Sequence, residues 1–185
     1  MMKFPRLLFI FFILSLFLPR QSLAWSTKPL TLNQMVTLSH LIFKGQIVDV
    51  TREDDAYESG QIVSFVTYLV KPEDCIKGSC KDGKVVVKQL AGGPTTSALT
   101  PGQHFLVFYP ENSKLGLVAP LGFDQGLMRM TKEGENWKIP ALSKRPRLAK
   151  DPNFISGSRA ATKVLNENDY ESFKQIVSGL VEEQR

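Results

Sequence analysis

A mainly β fold, a closed barrel or a sandwich of five to seven short strands, is what this sequence predicts, on three observations. Runs of β-branched and aromatic residues recur along the middle of the chain, and clusters of Gly, Pro, Asn and Asp separate them at fairly regular spacing. No long helical period interrupts them. The chain has 185 residues, 43% hydrophobic and 22% charged, which suits one core rather than a disordered or polytopic membrane chain. Its two cysteines are too few for a disulfide-built mini-protein or a four-thiolate zinc module.

The first element is read as a cleavable secretory signal over residues 1–24. Lys3 and Arg6 precede an apolar run from Leu7 to Leu18 broken only by Ser15, and Ser22-Leu23-Ala24 puts small residues before Trp25. That run of 12 residues is well short of the span a bilayer helix needs, about 20 residues. No stable membrane span is therefore expected after cleavage, and no cysteine near the site offers a lipid anchor. Loss of Lys3, Arg6 and Arg20 reduces the net charge from +5 to +2, with 20 cations against 18 anions, on a single domain of residues 25–185. Most of the basic excess belongs to the leader, so the charge does not argue for a nucleic-acid partner. Aromatic interleaving of the kind that stacks bases is missing as well.

After Lys28-Pro29, Thr31 caps a short helix running to about His40, with Leu32, Met35, Val36 and Leu38 at helical spacing. Residues 42–50 then read as a strand, and Ile62 to Val70 as a second. The acidic stretch Glu53 to Gly60 reads as the solvated tip of the hairpin between them. Further strands are expected at Val85 to Leu90, Phe105 to Tyr109, Leu115 to Ala119 and Leu127 to Met130, with a return at Trp137 to Ile139 across Lys132-Glu133-Gly134-Glu135. Residues 141–158 lack periodicity and read as a basic connector. From Asn168 to Glu183, Tyr170, Phe173, Ile176, Val177, Leu180 and Val181 recur at steps of three and four, an amphipathic helix capped by Asn168 that packs outside the barrel.

Four of these segments carry a family resemblance. Ser39-His40-Leu41-Ile42-Phe43-Lys44-Gly45-Gln46-Ile47-Val48 is similar to the opening of a group of uncharacterised exported bacterial proteins, in which a short helix leads into an S-x-x-I-x-x-G-x-V strand. Ile76-Lys77-Gly78, Gln89-Leu90-Ala91-Gly92-Gly93 and Gly102-Gln103-His104-Phe105-Leu106-Val107-Phe108 agree with the same pattern. The pattern resembles OB-like barrels of the netrin and tissue-inhibitor-of-metalloproteinase type, and it spans roughly residues 31–130. It implies an OB-like closed barrel with both helices outside. The inhibitors of that type begin with a zinc-chelating cysteine and carry many disulfides, whereas this mature chain begins Trp25-Ser26-Thr27. The resemblance therefore bears on fold more than on inhibition.

Cys75 and Cys80 bracket four residues in a chain bound for an oxidising compartment, so a disulfide stapling the entry to the third strand is the expected state. A redox pair would more typically show Cys-x-x-Cys opening a helix, and a zinc site would have only His40 and His104 to complete it. Gly78 to Val85 fits G-x-x-x-x-G-K, yet it lacks the Ser or Thr and runs into a strand, where phosphate binding needs a helix N-terminus. His40 and His104 lie near no nucleophile motif, and Asp54, Asp55 and Glu58 lack the spacing of a calcium loop. No catalytic residue, metal site or cofactor follows, and a non-enzymatic protein is expected. Ala91 to Thr100 is a long loop of small residues, and its Gly92, Gly93, Pro94, Thr95 and Thr96 are the candidate binding loop. Lys144, Arg145, Arg147 and Lys150 are candidate contacts to an anionic surface, alongside their reading as a solvated connector. The expected function is an exported, periplasmic or secreted module that binds a protein or cell-envelope component. The alternative is an inhibitor or accessory factor of an extracytoplasmic protease.

Overall fold

The computed structural model describes residues 28–56, 60–80, 83–92, 99–139 and 169–184. The leader, Gly93 to Thr96 of the candidate loop, and the connector with Lys144, Arg145, Arg147 and Lys150 lie outside the described residues.

The first described element is helix α1 (Leu32–Leu38), started by a reciprocal cap. The Gln34 amide donates to Thr31 Oγ1 at 3.1 Å, while the Thr31 amide donates to Gln34 Oε1 at 2.9 Å. Two long strands follow, β1 (Leu41–Ala56) and β2 (Ile62–Lys77), then β3 (Val85–Leu90), β4 (His104–Tyr109), β5 (Leu127–Glu133) and β6 (Asn136–Lys138). Helix α2 (Tyr170–Glu182) ends the described chain. The chain is thus mainly β, with six strands and two helices among the described residues.

Three expectations are corrected. The acidic residues Glu53, Asp54 and Asp55 belong to the β1–β2 ladder, opposite Phe65, Ser64 and Val63, because a two-stranded ribbon leaves their side chains in water while their backbones pair. Leu115 to Ala119 is not a strand of its own: a turn over Ser113 to Gly116 interrupts it, and only Leu117 bridges, in parallel, to Lys88 of β3. The cap of α2 is Asp169 rather than Asn168. The Asp169 carboxylate accepts from the Ser172 amide at 3.0 Å, and a full negative charge suits the helix N-terminus better than an amide.

The sheet runs β3-β2-β1-β4-β5-β6, antiparallel throughout. It is open, not closed into the expected barrel: its edge strands β3 and β6 are not paired with each other, and the single Lys88–Leu117 bridge is the nearest approach to closure from the β3 side. Strand β1 is the pivot. Ile42 to Gln46 pair with both β2 and β4, whereas Asp49 to Ala56 pair with β2 alone. Register shifts at Ile42/Phe43, Lys44/Gly45 and Ile47/Asp49 bend it between these two roles. Gly45 permits the bend, since a Cβ there would stand 2.8 Å from the Lys71 carbonyl and 3.0 Å from Phe43 and Val70 side chains. Pro72 is tolerated opposite Gly45 because β3 covers β2 only over Phe65 to Val70, so no second neighbour needs the missing N–H.

Strand alternation sorts the core into two layers. On one face Ile42, Leu106, Phe108, Met128 and Met130 meet α1 and α2 through Met35, Val36, Tyr170, Phe173 and Val177. On the other, Phe43, Ile47, Tyr68, Val87, Phe105 and Tyr109 form a second buried layer. β4 is buried on both faces because it alternates between these layers. Buried Gln125 ties the chain's approach to α1 onto the loop before β5, accepting from the Leu30 amide at 2.8 Å and donating to the Lys28 carbonyl at 3.3 Å.

Candidate functional site

Two places in the molecule concentrate polar chemistry. The first lies where α2 crosses the helix-side face. Lys44 interrupts the apolar run of β1, and alternation points it at the helices with only 10% of its side chain exposed. Its Nζ sits 3.1 Å from Glu73 Oε2, 4.5 Å from the centroid of the Trp137 ring and 5.2 Å from that of Tyr170. The charge is compensated by one carboxylate and two aromatic faces, which makes burial tolerable. His104 stacks on Trp137 with centroids 4.3 Å apart. Its Nδ1 approaches Glu73 Oε1 to 3.2 Å, within range of an ionic contact but outside hydrogen-bond geometry.

The neighbouring carboxylate, Asp74, serves the helix. Tyr170 donates to Asp74 Oδ2 at 2.8 Å, and Lys174 Nζ stands 2.6 Å from the same oxygen. Burial, the hydrogen bond to Asp74 and the negative charges of Asp74, Glu171 and Glu73 push the Tyr170 hydroxyl well above the usual phenol range. The hydrogen bond to Asp74 raises Lys174, outweighing desolvation. Lys77 donates to the Val36 carbonyl at 2.7 Å, satisfying an end of α1, and partial burial lowers its pKa. Every member of this cluster is engaged by a neighbour of complementary charge, by a ring or by a backbone carbonyl. Such an arrangement fastens helices to a sheet; it presents no activated nucleophile.

The second place is open to solvent. A groove of about 430 Å³ lies between the first half of β3, the entry to β1 and the segment after β4, lined among others by His40, Val86, Tyr109, Glu111, Asn112 and Val118. Its lining mixes apolar side chains, Leu41, Val85, Val86, Val87 and Val118, with polar ones. Among the described residues of that lining Glu111 carries the one carboxylate, and it makes no ion pair with another described residue. Tyr109, also in the lining, is buried, and that burial, reinforced by nearby Tyr68, pushes its hydroxyl up.

Cys75 and Cys80 form a disulfide with Cα atoms 6.2 Å apart, closing the loop between β2 and β3. Ser79 of that loop lines the groove, so the staple also holds one of its walls. Gly92 sits just past the other end of β3, away from the groove, with a positive φ of 81°. His40 and His104 fall in different places: the groove and the helix-side cluster. Neither Glu111 nor Asn112 stood out as a site residue in the sequence. Lys44 carried a usable signal, a lone cation at an inward position of an apolar strand.

No family model matches the chain, and no curated protein matches it. Among the described residues no helix is long and apolar enough to cross a membrane, and no three His, Cys, Asp or Glu side chains are grouped to hold a metal ion. The disulfide is compatible with an extracytoplasmic location.

Proposed function

We propose that the chain is an exported, non-enzymatic binding module of OB-like architecture that recognises a protein or cell-envelope component through the groove beside β3. The groove carries this reading: it is the place where a concave surface, a row of valines and a carboxylate without an ion pair among the described residues coincide. Three features support the OB-like element of the proposal. β1 is shared between β2 and β4, it is bent by irregular register, and β3 meets Leu117 in parallel as a closing strand would. The leader at 1–24 and the disulfide support export.

The reading is tested by placing a photo-crosslinking residue at Asn112 on the groove rim and, separately, at Lys132 on the β5–β6 hairpin, in cells that express the chain with its leader. A covalent adduct at 112 and none at 132 is expected. Equal adducts at both positions, or none at either, would overturn it. Deleting residues 93–98 in parallel decides whether the loop contributes: loss of the 112 adduct would bring the candidate loop into the site. Inhibition of an extracytoplasmic protease by the purified chain would favour the accessory-factor alternative.

A further inference from the structure

The groove lies beside a stretch of β3 whose outer edge, the one away from β2, is paired with no described residue. Val118 donates its amide to the Lys88 carbonyl at 3.0 Å, so the backbone of Lys88 faces away from β2. In an antiparallel pair this orientation repeats every second residue, so the N–H and C=O of Val86 face the same outer edge. Val87 and Val85 face β2, consistent with the Ala91 amide, four residues beyond Val87, donating to Ser64 of β2. Upstream of Leu117 the chain leaves the edge: the turn over Ser113 to Gly116, closed by the Gly116 amide on the Ser113 carbonyl and allowed by a Gly116 φ of 71°, peels it from β3. No described residue pairs with the outer edge at Val86, a residue that is 64% exposed.

We infer that this gap is completed by an extended segment of another protein, which adds as a strand along Val85 to Val87 and places a Lys or Arg against Glu111. The inference rests on the binding-module reading and specifies its ligand. An added strand gives the Val86 N–H and C=O the partners a sheet interior would provide, its alternate side chains cover Val86 and Val118 of the lining, and Glu111 supplies the complementary charge. The β2–β3 pairing runs without a register shift from Phe65–Leu90 to Val70–Val85, so an incoming strand would extend a regular ladder.

The test uses a library of random nine-residue peptides panned against the purified, oxidised chain. Enriched peptides are expected to alternate apolar residues with at least one Lys or Arg, and to slow hydrogen exchange at the Val86 amide. Val86→Pro removes the outer N–H while leaving the β2 pairing, and it should weaken binding by about tenfold or more, the loss of one or two well-formed hydrogen bonds. Glu111→Gln should select peptides without the cation. If the Val86 amide exchanges equally fast with and without saturating peptide, or Val86→Pro binds as the unaltered chain does while folding normally, strand addition is wrong and the binding reading stands. If the edge is instead occupied by a second copy, the unaltered chain sediments as a dimer, Val86→Pro sediments as a monomer, and the inference falls. If no peptide is enriched and no adduct forms at Asn112, the binding reading falls with it.

Discussion

Lys44 shows how much a single residue decides here. Its Nζ holds Glu73 and covers Trp137, while Glu73 also meets His104, so one side chain joins β1, β2, β4 and β6. Lys44→Ala is expected to cost about 1–3 kcal/mol, because Glu73 keeps only its contact with His104 and the ring loses its cover. Lys44→Met, which keeps the stem over Trp137, should cost less. Urea unfolding with an unchanged m-value would check both, and an alanine variant as stable as the original would refute the network's role. A second prediction follows from proton linkage. Tyr170, Tyr109 and Lys174 all have raised pKa values, so the folded chain holds their protons more tightly than the unfolded one. The stability they contribute is complete below the ordinary tyrosine value of 10.0 and is lost as pH rises beyond it. Lys77, whose pKa is lowered, works in the opposite sense. Melting temperature should therefore fall as pH is raised from 9 to 11, and Tyr170→Phe should make that fall shallower.

At the scale of elements, the two helices are attached differently. α1 is fastened by its capping box, by Gln125 at the approach and by Lys77 at the far end. α2 relies on its buried stripe of Tyr170, Phe173, Val177 and Val181 and on Asp74. The β2–β3 connection depends on the Cys75–Cys80 bond, and closing so small a loop stabilises by about 2 kcal/mol in the chain-entropy view. Cys75→Ala/Cys80→Ala should lower stability by that order and, because Ser79 lines the groove, also loosen the wall beside Val86. Faster amide exchange at Val85 to Val87 in the double variant, with β4 unaffected, is the expected signature.

The whole molecule is built on two apolar layers that share one sheet. Leu106 and Phe108 of β4 project to the helices while Phe105, Val107 and Tyr109 project to the opposite layer, so neither layer can be lost without exposing the other. A single cooperative transition is expected. In a Trp25→Phe background, Trp137 fluorescence reports the helix-side layer and far-ultraviolet circular dichroism the sheet, and the two should coincide in urea. A Trp137 transition at lower urea would mean that α2 and its polar cluster come away as a separate unit.

The strands at Val85 to Leu90, His104 to Tyr109 and Leu127 onward, the six-residue disulfide loop and both amphipathic helices were legible in the sequence, because propensity, turn residues and apolar spacing are local quantities. Strand length was less legible: β1 and β2 continue through charged residues and Pro72, since cross-strand pairing outweighs local preference once a neighbour is in place. The openness of the sheet was not legible: the segment read as a strand at Leu115 to Ala119 turns at Gly116 and keeps a single bridge to Lys88. The groove beside Val86 and the meeting of Lys44, Glu73, His104, Trp137 and Tyr170 were decided by tertiary structure alone. They join residues from distant parts of the chain, and no local pattern encodes which strand lies beside which, or what an unpaired edge leaves exposed.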